Sequence, residues 1–180
     1  MQTTGYRPLD RFPTERIAPT ECDNFYRKQQ LIGYVHDETP FFFGGVQGNA
    51  GLFSNANDLA KLCQMWLNKG TYGNERILSP KTVELFLTEK SSTSRRGLGF
   101  DKPDMENPEK SPTAIEASAS TIGHLGFTGT CFWIDPEQEL IYIFLCNRVY
   151  PSRTHGALSQ LNIRPELFST IYRSIKNHSK

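Results

Sequence analysis

The sequence predicts a mixed α/β (α+β) fold: an antiparallel sheet of about three strands, a C-terminal helix across one face, and two further helices packed nearby. Three patterns carry this. Leu59, Leu62, Cys63 and Trp66 recur at i, i+3, i+4 and i+7, the spacing of one buried helical stripe. Residues 130–134 and 140–146 are β-branched, aromatic or apolar, and the turn-forming residues 135–139 join them, so the two runs should pair antiparallel. Leu167, Phe168, Ile171, Tyr172 and Ile175 then line one face of a last helix.

Taken in order, residues 1–53 hold Pro8, Pro13, Pro19, Pro40 and the run Phe41-Phe42-Phe43-Gly44-Gly45 without a sustained period, and are expected to be irregular. Residues 54–90 should form two helices. The first has Ser54 or Asn55 as its cap, Asp58 in its first turn and Gly70 as its stop; the second starts at Ser79-Pro80 and puts Val83, Phe86 and Leu87 on one face. Residues 91–118 are polar and proline-bearing over 101–118 and read as a loop with a mobile surface excursion. Residues 119–148 form the hairpin region, entered through the glycine-punctuated 123–129. Pro165 marks the start of the last helix, expected over 158–177.

With 180 residues the chain has the size of one ordinary domain. Its 20 basic residues balance 19 acidic ones, so the clustered cationic face that nucleic acid needs is missing. The longest apolar run, 140–146, is far short of the roughly 20 residues a membrane helix requires, and no membrane association is expected. Cys22, Cys63, Cys131 and Cys146 lie far apart with no C-x-x-C pair, and are expected to be buried unpaired thiols; no metal and no cofactor is expected. Residues 2–8 have neither the basic start nor the apolar core of a signal peptide.

The most informative stretch is Gly123-His124-Leu125-Gly126-Phe127-Thr128-Gly129-Thr130. Glycines beside one titratable side chain permit close approach of a ligand to the backbone, and free amides at a strand edge can polarise a carbonyl oxygen. A glycine-rich bend with a solvent-facing histidine is the plainer alternative. Together with Gly48-Asn49-Ala50-Gly51-Leu52-Phe53-Ser54 upstream, Trp133-Ile134-Asp135-Pro136-Glu137 and Leu145-Cys146-Asn147-Arg148-Val149-Tyr150-Pro151, this order resembles the C-terminal half of the serine β-lactamase and penicillin-binding-protein superfamily, in its class C and esterase-like branch. Gly33-Tyr34-Val35-His36-Asp37 followed by Phe43-Gly44-Gly45-Val46 is similar to β-lactamase-like modules attached to family 3 glycoside hydrolases, the β-N-acetylglucosaminidases of Bacteroidetes-type bacteria.

The resemblance implies a partial β-lactamase/transpeptidase-like fold and a serine hydrolase acting on peptidoglycan-type material, exported to the periplasm. The family's chemistry uses a Ser-x-x-Lys nucleophile, a Tyr-x-Asn or Ser-x-Asn element, and a strand motif Lys-Thr-Gly or His-x-Gly. Only the third maps, onto His124, Leu125 and Gly126. No serine is followed three residues later by lysine, and Tyr72-Gly73-Asn74 falls downstream of where the family's copy belongs. The 180 residues are therefore expected to be a truncated C-terminal part, inert alone because acyl transfer needs an activated nucleophile.

By the same resemblance His124 would orient the substrate's anionic group, and the Phe127 N–H would be one oxyanion donor. A histidine with an ordinary pKa near 6.5 holds a carboxylate less securely than lysine, which tilts the substrate toward a peptide, amide or ester. Leu125, Asn147, Arg148, His36 and Asp37 are further candidates for substrate binding. The alternatives are a loop-stabilising role for His36-Asp37, whose side chains should point to opposite faces, and a surface salt bridge for Asn147, Arg148 and Arg153. Cys131 reads as a packed thiol and His155 as surface. The expected partner is the upstream half of the same domain; an uncovered apolar face also suggests a homodimer. A non-catalytic module that binds a muropeptide or partner domain is the competing function.

Overall fold

The computed structural model describes residues 1–88 and 92–178. In chain order its elements are β1 (Pro19–Asp23), β2 (Gln29–Ile32), α1 (Glu38–Phe42), α2 (Ala56–Leu67), β3 (Thr71–Tyr72), β4 (Glu75–Arg76), α3 (Pro80–Thr88), β5 (Ile122–Leu125), β6 (Cys131–Asp135), β7 (Leu140–Phe144), α4 (Ala157–Gln160) and α5 (Ile163–His178). The main sheet is antiparallel in the order β5-β6-β7; β1-β2 and β3-β4 are separate two-stranded ribbons.

Alternation along β6 organises two cores. Successive side chains leave opposite faces of a strand, so Cys131 and Trp133 enter one core while Phe132 and Ile134 enter the other. On the first face Trp133 and Tyr142 meet Phe168 and Tyr172 of α5, with the Tyr142 and Phe168 rings stacked at 4.5 Å. On the second face Ile122, Phe132 and Ile134 pack against Cys63, Trp66 and Leu67 of α2 and Phe86 and Leu87 of α3. The sheet is thus a middle layer between helices. Gly123 is required for it to close: a Cβ there would lie 2.1 Å from the Phe132 carbonyl oxygen and 2.5 Å from the Trp133 ring.

Local signals set the helix ends. The Asn55 side chain accepts from the Asp58 amide at 2.8 Å to cap α2, and Ser79 Oγ accepts from the Thr82 amide at 3.1 Å at the start of α3. Asp58 Oδ2 also accepts from the Thr3 and Thr4 amides, which fastens the first residues to the first turn of α2. At the end of β6 the fully buried Asp135 accepts from the Ser118 amide and hydroxyl, the Glu137 amide and the Tyr172 hydroxyl. Burial pushes its carboxyl up, but these donors outweigh that and hold it below the usual carboxylate range.

Several expectations need correction. Residues 1–53 are not irregular throughout: they contain β1, β2 and α1. This hairpin escapes a search for alternation because Gln29-Gln30 is polar and the register shifts between Pro19 and Cys22. It is held instead by Asp23, which accepts from the Phe25 and Tyr26 amides and pairs with Arg27, and by Leu31, which is fully buried. The 101–118 stretch is no mobile excursion, since Asp101, Ser111, Thr113, Ala114 and Ala117 are buried and Ala114 and Ala117 belong to the α5 core. The last helix is two helices, separated where Asn162 adopts φ 50°. Residues 145 and 146 lie beyond the end of β7. All four cysteines are free as expected, yet only Cys63 and Cys131 are buried; Cys22 and Cys146 are half-buried.

Candidate functional site

His124 stands on β5 opposite Phe132, so its side chain leaves the face of the sheet that α2 covers. Its ring is held at both nitrogens. Nδ1 lies 2.8 Å from the Leu125 carbonyl oxygen, which can only accept, and Nε2 lies 3.2 Å from Arg96 Nη1, which can only donate. These two contacts select the neutral tautomer with its proton on Nδ1. Arg96 comes from the segment that closes β5's outer edge, where Asp101 exchanges two backbone hydrogen bonds with Gly123 at 2.7 and 3.1 Å.

The β5–β6 loop follows directly. The Gly126 amide donates to the Thr130 carbonyl at 2.7 Å, and the Gly129 amide returns to the Gly126 carbonyl at 3.0 Å, closing a tight turn over 126–129. Gly129 has φ +114°, and a Cβ there would meet Cys146 Sγ at 2.6 Å, so the loop depends on glycine. Phe127 occupies the outer corner with 62% of its surface exposed. Its amide has no acceptor among the described residues, and its carbonyl is taken by Arg148 Nε at 2.8 Å.

Two further candidates converge on Phe127. The His36 ring stacks on it at 5.5 Å, and the Arg148 guanidinium sits 4.4 Å from its ring centroid. Arg148 also donates to the Arg153 and His155 carbonyls at 3.1 and 3.2 Å, so it braces its own segment after β7 and clips that segment to the β5–β6 loop. His36 Nε2 lies 3.0 Å from Glu21 Oε2 in a buried pair. Glu21 in turn accepts from the Arg153 amide at 2.9 Å and Nε at 2.7 Å, and Arg153 reaches Glu38 at 2.6 Å. Burial pushes the Glu21 carboxyl up, yet the bonds from Arg153 and His36 prevail and hold it at about 2.

The remaining candidates go elsewhere. Asp37 caps α1 through the Thr39 amide at 2.9 Å and leaves His36 to Glu21, as the opposite-faces argument expects. Leu125 leaves the sheet on the α5 side and helps line a cavity of about 230 Å³ with Leu158, Asn162 and Arg164. Asn147 Oδ1 is buried without a partner among the described residues. Cys131 is a packed thiol whose burial pushes it up to about 12. Sequence reasoning missed Glu21 as the hub of the Arg153 network, and Arg96 as the partner of His124. No local pattern in the sequence signals the latter, a contact across 28 positions. Among the described residues no three His, Cys, Asp or Glu side chains converge to hold a metal.

Comparison with known proteins points one way. The Beta-lactamase family model matches residues 2–163. Two relatives, from Escherichia coli strain K12 and Escherichia coli O157:H7, both named "Putative D-alanyl-D-alanine carboxypeptidase", are 34% and 38% identical over 180 aligned residues, covering 93% of this chain. The chain spans 40% of the length of each. Among solved structures, a beta-lactamase from Mycobacterium bovis aligns at 20% identity and a TM-score of 0.46, over 62% of this chain and 46% of that one.

Proposed function

The chain belongs to the Beta-lactamase family, and from that premise we propose that it supplies the strand side of an acyl-transfer site in a serine hydrolase acting on D-alanyl-D-alanine-type peptides of peptidoglycan. The observation that carries the reading is the His124-Leu125-Gly126-Phe127 strand end, where one amide is left open at a rigid turn. Such an amide stabilises a tetrahedral oxyanion in proportion to how firmly it is pre-aimed, and loss of one donor of this kind costs about 3 kcal/mol of transition-state stabilisation. His36 and Arg148 hold the Phe127 ring, which limits rotation of the turn.

The attacking group is the missing part. No Ser-x-x-Lys occurs in the 180 residues, and without a nucleophile paired to a base there is no acyl-enzyme. The nucleophile therefore has to come from additional polypeptide of the same protein, and the 180 residues alone are inert. The names of the relatives support the D-alanyl-D-alanine peptide as substrate and, with it, an exported, periplasmic setting. The similarity of residues 33–37 and 43–46 to modules joined to glycoside hydrolases favours a parent that also cuts the glycan.

The exposed aromatics Phe25, Tyr26 and Phe42, whose rings touch in series at 4.6 and 6.3 Å, supply an apolar face for that additional polypeptide or for a second copy of the chain. The test is release of D-alanine from an acyl-D-alanyl-D-alanine peptide, measured for the 180 residues alone and joined to about 200 upstream residues of their reading frame. Turnover only in the longer form is the expected result. Turnover in the short form refutes the inert-half claim, and turnover in neither, with tight muropeptide binding, favours the non-catalytic binding module.

A further inference from the structure

Resting on that reading of the site, we infer that His36 is a positioning residue for the Phe127 amide: its ring is fixed from β1 and passes that rigidity to the oxyanion donor through the stack, without touching substrate.

The imidazole is committed on two sides. Glu21 is a carboxylate at neutral pH and can only accept, so the 3.0 Å contact to Glu21 Oε2 puts a proton on His36 Nε2. The ring also lies against Phe127 at 5.5 Å, with the two planes 25° apart. Only 7% of the residue is exposed, which leaves little of it to meet a ligand.

The backbone of His36 is committed as well. Its carbonyl accepts from Arg27 Nη2 at 2.9 Å, and the Val35 carbonyl accepts from Arg27 Nη1 at 2.8 Å. Arg27 is itself paired with Asp23, and both side chains are almost fully buried. Glu21 and Asp23 lie two residues apart on β1 and therefore leave the same face of the strand. One carboxylate holds the imidazole; the other, through Arg27, holds the peptide that carries it. β1 thus acts as a strut with two fixing points on a single residue.

The strut is closed into a circuit. The Cys22 amide donates to the Pro151 carbonyl at 2.8 Å and the Arg153 amide to Glu21 Oε1 at 2.9 Å, so β1 is fastened to the segment after β7. That segment returns to the turn through Arg148, whose amide donates to the Thr128 carbonyl at 3.0 Å and whose Nε donates to the Phe127 carbonyl at 2.8 Å. Two substituents of the Phe127 Cα are therefore held from outside the turn, its carbonyl by Arg148 and its ring by His36. The third is the amide. The peptide plane behind it is fixed too: the Gly126 carbonyl accepts from the Gly129 amide at 3.0 Å, and a trans peptide points its N–H the opposite way. Glycine flanks the turn on both sides and resists backbone rotation least, so fastening from outside matters most here.

The experiment is a two-residue cycle. His36→Gln keeps a side-chain N–H to donate to Glu21 and removes the ring. Phe127→Leu, at a position 62% exposed, keeps the amide and removes the other half of the stack. In the 180-residue chain, NMR relaxation of the residue 127 amide should show a gain in motion in either variant and no further gain in the double variant. In the longer polypeptide each single variant should lower kcat for release of D-alanine from an acyl-D-alanyl-D-alanine peptide roughly threefold to tenfold, the worth of one aromatic pair, with KM unchanged. The double variant should lose no more than the larger single loss. Additive losses, a rise in KM at constant kcat, or an unchanged residue 127 amide in His36→Gln with a native-like spectrum would overturn the proposal. If His36→Gln unfolds, Phe127→Leu carries the test alone, and an unchanged amide there overturns it. No turnover by the unaltered longer polypeptide would count against the acyl-transfer reading instead, with the amide measurement still deciding whether His36 positions the turn.

Discussion

At the scale of single residues, the buried carboxylates decide how the chain responds to acid. Glu21 titrates near 4.5 when unfolded and at about 2 when folded. The native state binds its proton more weakly, so the stabilisation is complete above about pH 4.5 and is lost as pH falls toward 2. Glu21→Gln should lower stability near neutral pH by about 2–4 kcal/mol, because it leaves Arg153 and His36 facing a neutral amide in a buried position. The same variant should flatten the fall in urea midpoint between pH 4.5 and pH 2. Denaturant curves at both pH values check each outcome. This network was only partly legible in the sequence: Arg153 and His36 stood out singly, but Glu21 lies 132 positions from Arg153, and no local pattern announces a partner at that distance.

At the scale of elements, legibility followed periodicity and capping. The apolar stripes of α2, α3 and α5 could be read directly because burial on one face leaves a repeat of 3.6, and the two strands because burial on both faces leaves a continuous apolar run. The β1-β2 hairpin and the packed coil beneath α5 could not, because polar side chains and tertiary contacts hold them, without a repeat. Asn55→Ala should cost about 1 kcal/mol by removing the α2 cap. Gly123→Ala should cost more, about 1–3 kcal/mol, since its methyl group would strike the backbone oxygen of Phe132 and the Trp133 ring. Thermal unfolding of the two variants should rank them in that order. Phe168→Ala should exceed both at about 3–5 kcal/mol, because that fully buried ring stacks on Tyr142 and meets Tyr172.

At the scale of the whole molecule, the two cores against the sheet are complete enough to order β5 and its loop, while the chemistry they present is one-sided. The strand end offers an open amide, a neutral imidazole and a guanidinium, all groups that receive or orient. None of them attacks. The His-x-Gly motif was legible because its residues are adjacent, whereas the placement of Arg96 depended on the closure of β5's edge by Asp101, which no spacing encodes. The measurement that tests this division most directly is trapping with a labelled penicillin, followed by peptide mapping of the labelled residue. The account predicts no label in the 180 residues alone and, in the longer polypeptide, label on a serine outside them. A labelled side chain anywhere within residues 1–180 would contradict it.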